Sequence, residues 1–336
     1  MKAIVQRGYG APEEVLALRE IDVPVVAEDE VLVRARAASV HPDVWHVVTG
    51  RPYVLRLMGA GLRTPRVPIP GTDVAGLVEA VGGRVTRFRP GDAVFGECVR
   101  GHQWHNGGAY AEYVAVPERA LELKPANVTF EQAAAVPTAG LVALLNLCVL
   151  GRLRAGQKVL INGAAGCVGT IAIQVSRAYG AEVTGVDCAG KLDLVRAFGA
   201  DRVIDYARED FTRGSERYDL ILDIPGNHTL SECRRVLSPG GVWVLVAHDQ
   251  YGRSGGRWLG LVGRALGLMA LTPFVSQLPR LRDGMGKPPP LAVLKELMEA
   301  GKLTPVIDKL FPLGEVPRAL RCLAEGQPLG RVIITM

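Results

Sequence analysis

Residues 159–187 constrain this chain more than any other stretch. Val159, Leu160 and Ile161 form a short apolar run of the kind that makes a buried parallel strand. A glycine-rich turn follows, Gly163-Ala164-Ala165-Gly166-Cys167-Val168-Gly169, and then an amphipathic helix to about residue 179. A second apolar strand over 182–186 closes on Asp187. Strand, turn, helix and strand of these lengths make a crossover unit suited to a dinucleotide. Gly163 permits the tight turn, Gly166 leaves room for backbone amides to approach a pyrophosphate, and Gly169 lets helix and strand pack closely. The helix N-terminus presents its positive dipole end to the phosphates. Ala164 stands where the usual fingerprint has its first glycine, so the motif reads AxGxxG behind Gly163. Gly163, Ala165, Gly166, Cys167, Val168 and Gly169 are the expected phosphate-side contacts. Asp187 is the expected partner of the adenosine ribose hydroxyls.

The rest of the chain frames that unit. At 336 residues it suits two domains, and with 48% apolar and 22% charged residues it can bury a large core. The net charge is +5 and the arginines are scattered, which argues against a nucleic-acid groove. Six cysteines without a Cys-x-x-Cys spacing fit a reducing compartment rather than a disulfide framework. The first residues lack a signal-peptide core, so the expected location is cytoplasmic. Residues 258–275 hold the one candidate membrane segment, but Arg264 and the Gly and Pro residues interrupt it. An amphipathic lid or partner-facing helix is expected there.

Short strands between turns fill the first 125 residues: 3–6, 30–37, 74–81, 92–95 and 109–116. This is an all-β, barrel-like domain. Helical periodicity begins at Thr129, with helices over 130–135 and 141–150. Strands over 202–205, 218–223 and 241–247 then alternate with helices over 191–198 and 230–237, the pattern of a doubly wound parallel sheet. Residues 249–290 read as an irregular lid or cap. Helices over 291–300 and 315–324 and a strand over 331–335 complete the tail.

Several further segments carry a resemblance: Gly71-Thr72-Asp73-Val74-Ala75-Gly76, 88–95, 108–113, 134–141, 198–206 and 301–307. With the glycine turn, they resemble the medium-chain dehydrogenase/reductase superfamily, in its zinc-free quinone-oxidoreductase branch and close to the reticulon-interacting oxidoreductases. The resemblance implies an α/β protein with a GroES-like β-barrel catalytic domain (1–125), a Rossmann cofactor domain (126–270) and a tail returning to the barrel (271–336). It places the active site in the cleft between them and suggests a homodimer. It implies hydride transfer from NAD(P)H to quinones or α,β-unsaturated carbonyls. The alternatives are an NAD(P)-dependent alcohol dehydrogenase and a dinucleotide-binding sensor without turnover.

Zinc members of this superfamily need a catalytic Cys and a His where this chain resembles Ser39-Val40-His41-Pro42 and Gly71-Thr72-Asp73, so no metal is expected. Glu97, Cys98, His102 and His105 are the one loose group of potential ligands. His41 takes the place of a common Asn and can donate to a substrate oxygen or deliver a proton. Trp45 is expected as a wall of the substrate pocket and Tyr53 as a hydroxyl donor, while Asp43 is expected to cap the next helix. Thr138 and, after the 241–247 strand, Ala247 and His248 are expected near the nicotinamide. Asp187 argues for NAD, because a carboxylate repels a ribose 2′-phosphate. Lys191 and Tyr206 stand where NADPH-using relatives hold that phosphate. The balance inclines to NAD.

Overall fold

The strands follow the chain as β1 (Lys2–Gln6), β2 (Leu16–Glu20), β3 (Glu30–Ser39), β4 (Asp73–Val81), β5 (Ala93–Glu97), β6 (Tyr113–Pro117) and β7 (Leu121–Leu123). They continue as β8 (Lys158–Asn162), β9 (Glu182–Asp187), β10 (Arg202–Asp205), β11 (Tyr218–Asp223), β12 (Leu237–Leu245), β13 (Ile307–Pro312) and β14 (Arg331–Thr335). This computed structural model describes residues 1–99, 105–247, 251, 256–280, 290–326 and 328–336. It falls into two units, one of Met1–Thr138 with Leu291–Met336 and the other of Ala139–Pro290.

In the first unit the sheet runs β13-β14-β3-β4-β5-β7, and β6 pairs with the first half of β3. All pairs are antiparallel except β13 with β14. β3 is the hub: seven of the nine positions after Glu30 are apolar or small, and its core side chains Val31, Val33, Ala37 and Ala38 have no exposed surface. Because β3 and β5 run antiparallel to β4 and β14, one end of the sheet collects the last residues of β3 and β5 and the first of β4 and β14. Those residues are Ser39, Glu97, Asp73 and Arg331.

The second unit is a five-stranded, wholly parallel sheet in the order β10-β9-β8-β11-β12. Val159, Leu160 and Ile161 of β8 are fully buried at its centre, as a continuous apolar run requires when helices cover both faces. The chain leaves β8 toward β9 on one side and returns to β11 on the other. That reversal makes the C-terminal ends of β8 and β11 the switch point where ligands bind in such sheets.

The unit boundaries fall at 138 and 290, against the expected 125 and 270. The helix Phe130–Ala134 opens with a capping box between Thr129 and Gln132 and packs on β3 and β4, so it stays with the first unit. Leu278 sits in the core around Trp243, whose backbone N donates to Gln277 O at 2.8 Å, so the stretch past 270 stays with the second. The 109–116 strand shortens to β6, preceded by an isolated bridge between Ala3 and Ala111, after Gly108 turns the chain at φ +91°. The 141–150 helix starts instead at Pro137 and passes into a wider turn over Leu145–Leu150. Within residues 249–290, a helix over Val262–Leu271 buries none of its side chains. No helix among the described residues is long and apolar enough to cross a membrane.

Candidate functional site

Register sets the polar centre of the first unit. Asp73 and Glu97 are direct cross-strand partners, so two carboxyl groups share one face of the β4–β5 pair. Like charges in that position repel. Asp73 is surrounded by donors: Ser39 Oγ donates to its Oδ2 at 2.5 Å, and Thr138 N donates to its Oδ1 at 3.0 Å. Arg331 donates from Nη2 to Ser39 Oγ at 3.2 Å and stands 3.9 Å from Asp73 Oδ2. Asp73 has no exposed surface and Arg331 only 2%, which makes this a buried ion pair. The Tyr110 hydroxyl donates to Ser39 O at 3.1 Å, and burial pushes that phenol up, so it stays a donor. Thr138 Oγ1 lies 2.5 Å from Asp73 Oδ1, 3.1 Å from Glu97 Oε1 and 3.3 Å from Thr72 Oγ1. Burial pushes the Glu97 carboxyl up to about 7, and the Asp73 charge adds to the rise.

His41 stands just beyond the end of β3. Its backbone is extended (φ −115°, ψ 148°), it precedes Pro42, and its Nδ1 accepts from Asp43 N at 3.3 Å. His41, not Asp43, is therefore the N-cap of the helix Pro42–Thr49. The reason is Pro42: it fits the first helical position, so the cap falls on the residue before it. Asp43 instead brings its carboxylate to 3.2 Å from the same Nδ1. While Nδ1 accepts, the neutral ring carries its proton on Nε2. His41 is 4% exposed, and Nε2 has no hydrogen-bond partner among the described residues. A buried donor left unmet costs about 1–3 kcal/mol, which makes an incoming acceptor atom the natural complement.

Trp45 lies one turn on, its ring edge-on to His46 at 5.2 Å. Tyr53 packs under the Arg56 guanidinium at 4.8 Å, which also covers Tyr9 at 4.4 Å and donates from Nε to Gly50 O at 2.9 Å. The structure thus gathers Tyr53 with Arg56 and Tyr9, and His41 with Asp43.

In the second unit the glycine turn is fastened to β9. Gly163 N and Ala164 N both donate to Val186 O, at 3.0 and 3.1 Å, with Gly163 at φ +82°. A Cβ on Gly169 would lie 2.2 Å from Gly163 O and 2.6 Å from Ala164 O, so the close helix–turn approach requires glycine. In front of Gly166 a Cβ would meet only Gly163 O, at 3.2 Å. Gly166 is the N-cap of the helix Cys167–Ala178, with no side chain capping it. The uncapped first turn of a twelve-residue helix, entered through Gly166, is a fitting cradle for a dinucleotide pyrophosphate. Asp187 ends β9 and accepts from Ala165 N at 2.8 Å and Cys188 N at 2.9 Å. Tyr206, 59% exposed, donates its backbone N to Asp187 O at 3.2 Å, and Lys191 starts the helix Leu192–Ala197 nearby in sequence. Ala247, past the end of β12, holds φ +68°, a region that favours glycine. His248 lies outside the described residues.

The two segments that resemble the metal-binding places of the zinc members carry Ser39 and Thr72, and the Ser39 hydroxyl is committed to Asp73. Among the described residues no group of three or more His, Cys, Asp or Glu side chains could hold a metal ion; His102 lies outside them. Asp73, Glu97, Ser39 and Arg331 were not among the residues expected to act. The available signal was Glu97, an acid ending an apolar strand, but its pairing with Asp73 needs the register.

Comparison with known proteins identifies the family. Residues 27–126 match the family described as "Alcohol dehydrogenase GroES-like domain", and residues 198–334 the one described as "Zinc-binding dehydrogenase". The chain is 32% identical to the NAD(P)H oxidoreductase RTN4IP1, mitochondrial, of Bos taurus, covering 100% of this chain and 89% of the relative. It is 31% identical to the 2-methylene-furan-3-one reductase of Solanum lycopersicum, over 99% and 79% of the two chains. Among solved structures, the quinone oxidoreductase of Coxiella burnetii superposes with a TM-score of 0.79 at 26% identity, covering 100% of this chain and 99% of the other. The two domain matches, in order and supported by full-length relatives, show that the chain belongs to the medium-chain dehydrogenase/reductase superfamily.

Proposed function

We propose that the protein is an NAD(P)H-dependent oxidoreductase that reduces quinones or α,β-unsaturated carbonyls without zinc. The names of the relatives support this reading, and one observation carries it: the buried Nε2–H of His41 has no acceptor among the described residues. When bound, the nicotinamide supplies a hydride. The chain's own residues do the rest. The glycine turn and the start of the helix Cys167–Ala178 hold the phosphates, and Asp187 holds the adenosine ribose and repels a 2′-phosphate, which favours NADH. His41 donates from Nε2 to the substrate oxygen and stabilises the negative charge that develops there. A prepositioned donor needs no reorganisation during the reaction. Asp43 lies against the ring, its carboxylate 3.2 Å from Nδ1.

The test is oxidation of NADH and NADPH, followed by absorbance, with a quinone and with an enone, in the presence of a chelator. The expected result is turnover that the chelator leaves intact, faster with NADH. Consumption of neither coenzyme would overturn the reading. Loss of activity on chelation would overturn its zinc-free part.

A further inference from the structure

The hydroxyl of Thr138 has one proton and two close carboxyl neighbours. It lies 2.5 Å from Asp73 Oδ1 and 3.1 Å from Glu97 Oε1. Asp73 is the ionised partner: the Ser39 hydroxyl, the Thr138 amide and the Arg331 guanidinium all converge on it, and a buried charge survives only with such company. The shorter contact therefore takes the Thr138 proton, and the Thr138 oxygen has only lone pairs left to offer. Thr72 can give its hydroxyl proton to one of them. Glu97 can complete its bond to the other only as a carboxylic acid, with O–H donating to Thr138 Oγ1. Register reinforces this, since a second carboxylate directly opposite Asp73 would be repelled.

We propose that Glu97 is held as a neutral carboxylic acid and is the proton donor of the reduction, a catalytic role beside the oxygen-holding role of His41. This rests on the reductase reading above. Asp73 is sealed from solvent, but Glu97 keeps part of its surface. After the reduced nicotinamide has given its hydride, the substrate carries one negative charge. The Glu97 O–H bond then breaks and the proton forms the new bond to the substrate. The electron pair stays on Glu97 as carboxylate, and solvent returns the proton.

The sign of the pH dependence follows. The donor must be protonated, so kcat falls as pH rises through about 7. The test compares wild type, Glu97→Gln and Glu97→Asp. Glu97→Gln is expected to lose about 10²-fold in kcat below that pH and to lose the falling limb, with coenzyme affinity unchanged. Glu97→Asp is expected to keep the limb at a lower kcat. Infrared difference spectra of the substrate-free protein between about pH 6 and about pH 8 should show one protonated-carboxyl band, absent from Glu97→Gln. Wild-type kcat and pH profile in Glu97→Gln, or no such band, would overturn the proposal alone. No turnover by the wild type with either acceptor would instead sink the reductase reading, and the donor role with it.

Discussion

In the proposed reaction His41 serves the helix and the substrate with opposite edges of one ring. Nδ1 caps the helix Pro42–Thr49, and Nε2 has no partner among the described residues. The two roles are separable by mutation. His41→Ala removes both and should cost about 1 kcal/mol of stability and about 10²-fold or more in kcat. His41→Asn keeps a capping oxygen and an N–H donor, so it should regain the melting temperature and much of the rate. Melting curves beside steady-state kinetics check this; a lowered melting temperature with unchanged kcat would leave His41 a cap and nothing more. At this scale the sequence was legible where chemistry is local. His41 was read as a candidate donor, but the cap was expected at Asp43, because Pro42 was not read as the first helical residue. Asp73 and Glu97 were not legible as a pair, because only the β4–β5 register places them face to face. Nor was Arg331, whose partner Ser39 lies 292 positions earlier.

The crossover from β8 through the helix Cys167–Ala178 to β9 depends on backbone closeness more than on side chains. Gly169→Val should therefore abolish coenzyme binding while the first unit stays folded, since even a Cβ would lie 2.2 Å from Gly163 O. Calorimetric titration with NADH and NADPH, beside circular dichroism, checks the expectation; retained affinity would contradict it. Legibility at this scale followed burial. β8, β9 and β11 are the three inner strands, and their buried apolar residues could be read directly. β2 was missed because it is largely exposed and carries little pattern. β13 was read only as a short apolar segment: it is an edge strand ending in Pro312, and proline at an edge disguises a strand.

Two units of different connectivity give the molecule two responses to ligand. Coenzyme that binds the folded second unit at a hundred times its Kd adds about 2.7 kcal/mol of stability. Hydrogen exchange should show that gain in the amides of β8, β9 and the glycine turn, with β3–β6 changed least. Uniform protection of the whole chain would speak against a site confined in this way. The two-unit plan was legible from the switch between strand-rich and alternating segments. The exact breaks were not, since they depend on where the helix Phe130–Ala134 and Leu278 find their packing partners.

β14 completes the sheet beside β3 and brings Arg331 to the buried acid. On the ribosome this inverts the order of completion. The second unit, whole by residue 290, is finished while the first still lacks its closing strand. At about 5–20 residues per second, roughly 10–40 s separate the emergence of Thr138 from that of Arg331. Throughout that interval the Ser39 end of β3 is an open edge, and Asp73 has no guanidinium to face. A nascent chain in this state is a client for holding chaperones, and it gains its acid–base centre only as the last strand is delivered.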